Sequence, residues 1–201
     1  MRARKLDTKT RKVQIARAAL DLIAKQGPEC LSIAAVAEKV GIVPSAVYRH
    51  FTGKDAILNA ILDLLATTFR SIVTQARAAH SDPLDRLRDI IRRHVRFLSE
   101  NQHLPAVVAS EIIFGDHPER RAKVRDILLE YLGGIEAILG EGQLAGIIRE
   151  DVAPRVAALM LLGIEAPAAA LWKVSGGAYD IVAHVEAAWP IYLAGVEKRP
   201  G

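Results

Sequence analysis

The chain is poor in the residues that would announce chemistry. It has one cysteine among 201 residues, Cys30, so neither a disulfide framework nor a cysteine-based zinc site is available. A lone cysteine of this kind reads as a small buried apolar residue. Aromatic residues make up only 5%. No phosphate-cradling glycine loop, nucleophile elbow or His-Glu metal motif occurs, and the six histidines are scattered. These absences argue against an enzyme and against a bound metal or cofactor. The most apolar stretch, VAALMLLGIEAPAAALW (156 to 172), is interrupted by Glu165 and Pro167. It falls short of the roughly 20 residues needed to span a bilayer, so a buried helix is expected instead. The basic start MRARKLDTKTRK is not followed by an apolar run, so no secretory signal is expected and the location is read as cytoplasmic, without a membrane partner.

What is present is helix. Ala, Leu, Arg and Glu are abundant, and apolar residues recur at helical spacing with no strand-like alternation. A first helix is expected over Thr8 to Gln26, with Val13, Ala16, Leu20 and Ile23 as its stripe and Gly27-Pro28 as its end. Ser32 suits the N-cap of a short helix through Val40, which Gly41 breaks; Pro44 opens another that reaches Phe51. A long helix from Lys54 or Asp55 carries Ile57, Leu58, Ile61, Leu65, Phe69 and Ile72. Asp82-Pro83 caps the next, and about four more follow, the last two near 154 to 174 and 178 to 196. The expectation is an all-α chain of about nine helices, with a basic arm and DNA-binding domain over 1–53 and a helical effector-binding and dimerisation domain over 54–201.

Charge divides the same way. Residues 1 to 54 hold 11 Lys and Arg against 4 Asp and Glu, a net of +7; residues 55 to 201 hold 16 against 19, a net of −3. A basic end on a slightly acidic body points to an anionic partner for the first quarter, nucleic acid before membrane. On a helical wheel Val47 and Phe51 face inward with Pro44 near them. Ser45 and Arg49 face outward, flanked by Ala46 and Tyr48, and His50 lies near the edge of the buried face. Ala37 and Gly41, four apart, let two helices cross closely through a tight turn. This is a helix-turn-helix pattern. Ala46 is expected to reach a thymine methyl and Arg49 a guanine or phosphate. Tyr48, His50 and Lys54 suit phosphates. The candidate DNA contacts are therefore Ser32, Pro44, Ser45, Ala46, Tyr48, Arg49, His50 and Lys54, with Arg2, Arg4 and Lys5 in the basic arm.

The run GIVPSAVYRHFTGKDAIL resembles the DNA-binding signature of the TetR/AcrR family of bacterial transcriptional regulators. The preceding IARAALDLIAKQGPECLSIAAVAEKV is similar to that family's first two helices, so the likeness covers residues 10 to 60. The resemblance implies a homodimer on a palindromic double-stranded operator, and a body that gives up DNA when a small apolar or amphipathic effector binds. A repressor is the expectation; an architectural or chromosome-organising DNA binder without an effector is the alternative. Two positions depart from the pattern. Val43 stands where many members have a capping hydroxyl, and Ala34 has no side chain with which to read a base.

Within the body, His94 sits on the apolar side of its helix between Ile91 and Leu98, and reads either as a hydrogen-bonded core histidine or as a ligand anchor. Candidate pocket residues are Phe69, Ile91, His94, Leu98, Glu111, Phe114, Tyr131 and Glu165. Candidate dimer-face residues on the last two helices are Leu161, Ile164, Ala168, Leu171, Val185 and Trp189.

Overall fold

The structure, a computed structural model, describes residues 7–101 and 117–198, apart from the side chain of Lys173. Arg2, Arg4, Lys5, Glu111 and Phe114 lie outside the described residues. Among those described there are nine α-helices: α1 (Thr8–Gln26), α2 (Ile33–Val40), α3 (Pro44–Tyr48), α4 (Lys54–Ala79), α5 (Pro83–Glu100), α6 (Pro118–Leu144), α7 (Pro154–Gly163), α8 (Glu165–Val174) and α9 (Ile181–Val196). The fold is all-α, and one isolated antiparallel bridge joins Ile148 to Glu197.

Local chemistry sets the helix ends. Asp7 accepts from the Thr10 N–H at 3.0 Å, Ser32 Oγ from Ala35 N–H at 3.0 Å, Asp82 from Leu84 N–H at 2.7 Å and Asp180 from Ala183 N–H at 3.0 Å. Each satisfies a donor that the first helical turn leaves orphaned. Gly41 ends α2 in the left-handed region (φ 73°, ψ 38°), where a side chain is strained. α7 and α8 form one apolar run interrupted at Ile164. Pro167 explains the break: it has no N–H to give the Gly163 carbonyl, and its ring crowds that carbonyl.

Contacts divide the chain into two compact units, Met1–Thr68 with Asn101–Ile127, and Phe69–Glu100 with Leu128–Gly201. In the first, α1 packs on α2 and α2 on α3, burying Ile15, Ala19, Ile23, Val36, Val47 and Phe51. The start of α4 adds Ile57, Ile61 and Leu62. Each such aliphatic side chain contributes about 1.5–3 kcal/mol relative to exposure. Arg120, 2% exposed, donates to Asp55 at 2.9 Å, and Lys123 reaches the Asn59 carbonyl at 3.1 Å and Asp63 at 2.6 Å.

In the second unit α5 and α8 pack against α9 around Leu87, Ile90, Ile91, Ile135, Ile138, Leu161, Val185 and Trp189. Glu186 on α9 holds Arg92 (2.7 Å) and Arg88 (3.2 Å) of α5. Gly142 allows a close approach, because a Cβ there would stand 2.5 Å from Ile148 Cδ1.

Lys54–Ala79 and Pro154–Trp172 are long and apolar enough to cross a membrane by length and composition, which corrects the expectation that no run would reach that size. Both nevertheless contribute buried faces to these cores.

Candidate nucleic-acid interface and effector site

The turn between α2 and α3 is closed by Gly41 N–H on the Glu38 carbonyl (3.0 Å) and Ile42 N–H on the Ala37 carbonyl (2.9 Å). Val47 and Phe51, 0% and 6% exposed, anchor the segment from inside. That anchoring leaves Pro44, Ser45, Tyr48, Arg49 and Lys54 on the surface, close together in sequence and bearing two cations. Ser32 uses its hydroxyl oxygen as the α2 cap, so its O–H proton stays free to be donated outward. His50 is half-buried, and its Nδ1 has no partner among the described residues. Lys12 lies over the Phe51 ring at 5.8 Å and covers the inner side of the same segment.

Two expectations fail here. α3 ends at Tyr48 rather than Phe51; Arg49 is its C-cap, and the amides of His50 and Phe51 both turn back to the Val47 carbonyl at 2.9 and 3.0 Å. Ala46 is 7% exposed, so it packs inward beside Val47 and does not stand on the outward face that its wheel position suggested. On so short a helix the buried arc is wide enough to take both positions. The apolar side chain that does face out is Val43, 62% exposed, which sequence reasoning noted only as a missing cap. No side chain caps α3.

In the second unit, six of the candidate pocket residues come from four helices: Phe69 on α4, Ile91, His94 and Leu98 on α5, Tyr131 on α6 and Glu165 on α8. Phe69 stacks on Tyr131 with ring centres 4.7 Å apart, and His94 lies 5.5 Å from Tyr131 and 5.6 Å from Phe69. His94 Nε2 is 3.4 Å from Glu165 Oε1. His94, Tyr131 and Glu165 are all buried, at 6%, 3% and 8% exposure. Burial, and then the nearby Glu165 carboxylate, push the Tyr131 phenol well above its ordinary range. Its hydroxyl therefore stays protonated.

Four of the candidate dimer-face residues are spent inside one chain. Leu161, Ala168, Val185 and Trp189 are 0%, 1%, 1% and 5% exposed, because the most apolar face of each helix turns to its own core. Ile164 is half-buried and Leu171 exposed. Among the apolar side chains left on the surface of α7 and α9, alongside Leu159 and Val182, are Val156 (56%), Met160 (63%) and Ile191 (78%). Val156, Met160 and Ile191, together with Ile164 and Tyr192, line a groove of about 390 Å3. The signal for them is weak in sequence: they lie one or two positions from buried neighbours.

Comparison with known proteins agrees with this geometry. The family described as bacterial regulatory proteins, tetR family, matches residues 15–61, and the one described as YsiA-like protein, C-terminal region, matches residues 63–195. The chain is 25% identical over 187 residues to the fatty acid metabolism regulator protein of Bacillus subtilis (strain 168), covering 93% of this chain and 96% of that one. The crystal structure of the transcriptional regulator FadR from Bacillus subtilis in complex with stearoyl-CoA superposes with a TM-score of 0.73 at 25% identity, covering 90% of this chain and 97% of that one. A shorter likeness, 23% over 121 residues, joins 60% of the chain to 56% of the nucleoid occlusion factor SlmA of Haemophilus influenzae (strain PittGG). With both parts of the chain matched, it belongs to the tetR family of bacterial regulatory proteins and is a ligand-responsive DNA-binding transcriptional regulator.

Proposed function

We propose that this chain is a cytoplasmic repressor that holds a palindromic operator as a homodimer and releases it when a long-chain acyl ligand, an acyl-CoA ester above all, enters the second unit. The observation that carries this reading is the near full-length likeness to a fatty acid metabolism regulator, coupled with a solved FadR that holds stearoyl-CoA. The shorter SlmA likeness gives the architectural alternative less of the chain to stand on. FadR from Bacillus subtilis is a transcriptional regulator, which favours binding and release over turnover.

The residues fit the roles. Ser45 and Arg49 present a hydroxyl and a guanidinium to base edges, and Val43 supplies the apolar contact that Ala46 does not. Tyr48, His50, Lys54 and the Ser32 hydroxyl serve the phosphates. The Val156–Met160–Ile191 surface takes a second copy of the chain, since exposed apolar groups clustered on two helices are typical of a partner-covered face. Dimerisation sets two α3 segments about 34 Å apart, one per turn of DNA.

The test is fluorescence anisotropy on duplex DNA from the protein's own upstream region, beside a scrambled duplex. A preference of about a thousandfold, abolished by palmitoyl-CoA, is expected. Equal and steeply salt-dependent binding to both duplexes, unchanged by acyl esters, supports the architectural alternative instead.

A further inference from the structure

The aromatic stack of the second unit carries two polar atoms that its function as a hydrophobic wall does not need. His94 Nδ1 and the Tyr131 hydroxyl are buried, and neither has a hydrogen-bond partner among the described residues. Buried polar groups are almost always paired, so each such exception calls for a partner. His94 turns its other nitrogen, Nε2, to Glu165 Oε1 at 3.4 Å. A carboxylate facing Nε2 favours the tautomer with its proton on that nitrogen, which leaves Nδ1 as the acceptor. The Tyr131 hydroxyl, held protonated, is a donor. Phe69, stacked at 4.7 Å on Tyr131 and 5.6 Å from His94, leaves the surroundings apolar.

A group that donates to Nδ1 and accepts from Tyr131 satisfies both atoms at once. A hydroxyl does both. An ether, ketone or ester oxygen cannot donate, and a carboxylate is repelled by Glu165. Resting on the acyl-effector reading above, we infer that the second unit selects an acyl ligand bearing a hydroxyl on its chain. The hydroxyl donates to His94 Nδ1 and accepts from the Tyr131 O–H.

The experiment measures dissociation constants of the full-length protein by titration calorimetry. The ligands are palmitoyl-CoA, its mono-hydroxylated positional isomers, and the methyl ether of the best isomer. One isomer is expected to bind about tenfold tighter than palmitoyl-CoA, or better, and its methyl ether to lose that gain. His94→Phe and Tyr131→Phe keep the rings but remove the bonding atoms. Within each variant the hydroxylated isomer is expected to bind no tighter than palmitoyl-CoA, so that the gain is erased whatever the variant does to acyl binding as a whole. If no isomer outbinds palmitoyl-CoA, or if the gain survives in both variants, the inference is overturned while the acyl effector stands. If no acyl ester binds at all, both readings fall. Should a variant not fold, the methyl ether against wild type decides alone.

Discussion

Arg49 and Lys54 are both exposed cations, yet they stand at different points of the reading surface. Arg49 caps α3 among the residues proposed to face the bases, whereas Lys54 opens α4 beyond the Thr52-Gly53 break. Arg49→Ala is expected to cost about 1–3 kcal/mol on the operator and to relax the preference for it over a scrambled duplex. Lys54→Ala should weaken both duplexes alike and lower the slope of affinity against salt by about 1. Anisotropy titrations at several salt concentrations separate the two patterns. The reverse assignment would mean that Lys54 reads the sequence. Much at this scale was legible beforehand. Asp82 and Ser32 were recognisable as caps because a side-chain oxygen before a helix has a local job that needs no distant partner. Ala46 was not, because on a five-residue helix the wheel angle of one position cannot tell the edge of the core from the edge of the surface. Arg120 was invisible for another reason: its partner Asp55 lies 65 residues away, and no periodicity links them.

Elements carry their own tests. α3 has no capping side chain, so a hydroxyl at position 43 should stabilise it. Val43→Thr is expected to raise stability by roughly 1 kcal/mol, read as a shift in Tm, while removing the apolar group offered to DNA. A fall in Tm would show that Val43 packs in a way its exposure does not suggest. Gly142→Ala should lose about 1–3 kcal/mol, because the new Cβ would stand 2.5 Å from a side-chain carbon of Ile148, itself fully buried. The α5–α9 contact is sensitive to acid. The hydrogen bond from Arg92 holds the Glu186 carboxyl below its ordinary 4.5; burial opposes this, and Arg88 adds to it. A carboxyl depressed on folding gives stability that is full above its unfolded value and disappears as pH falls through the lower folded one. Glu186→Gln should therefore lower Tm at neutral pH, with the difference from wild type shrinking below about pH 4. A constant difference across that range would assign the loss to packing alone. The faces of α7 and α9 show where sequence reading stops: apolar spacing reveals that a helix has a buried side, but a side buried by its own chain and one awaiting a second chain have the same composition. The core claimed Leu161, Ala168, Val185 and Trp189, and the surface kept Val156, Leu159, Met160, Val182 and Ile191.

For the whole molecule the dimer is the quantity to measure. Ile191→Glu places a charge on a side chain that is 78% exposed in one chain, so the monomer is expected to keep its helix content. Sedimentation should then show monomer, and operator affinity should drop to that of a single half-site. A dimer that persists would move the interface elsewhere.

The chain enters its first unit, leaves it after Thr68, returns at Asn101 and leaves again after Ile127. A polypeptide emerging from the ribosome therefore presents its DNA-reading segment long before the residues that finish that unit exist. Until Arg120 and Lys123 are synthesised, Asp55 and Asp63 lack the cations they meet in the finished protein. By then α5 has already been made. The part that binds DNA is thus among the first to be translated and among the last to be completed, and a nascent chain stalled early should carry the reading surface without the support that holds it in shape.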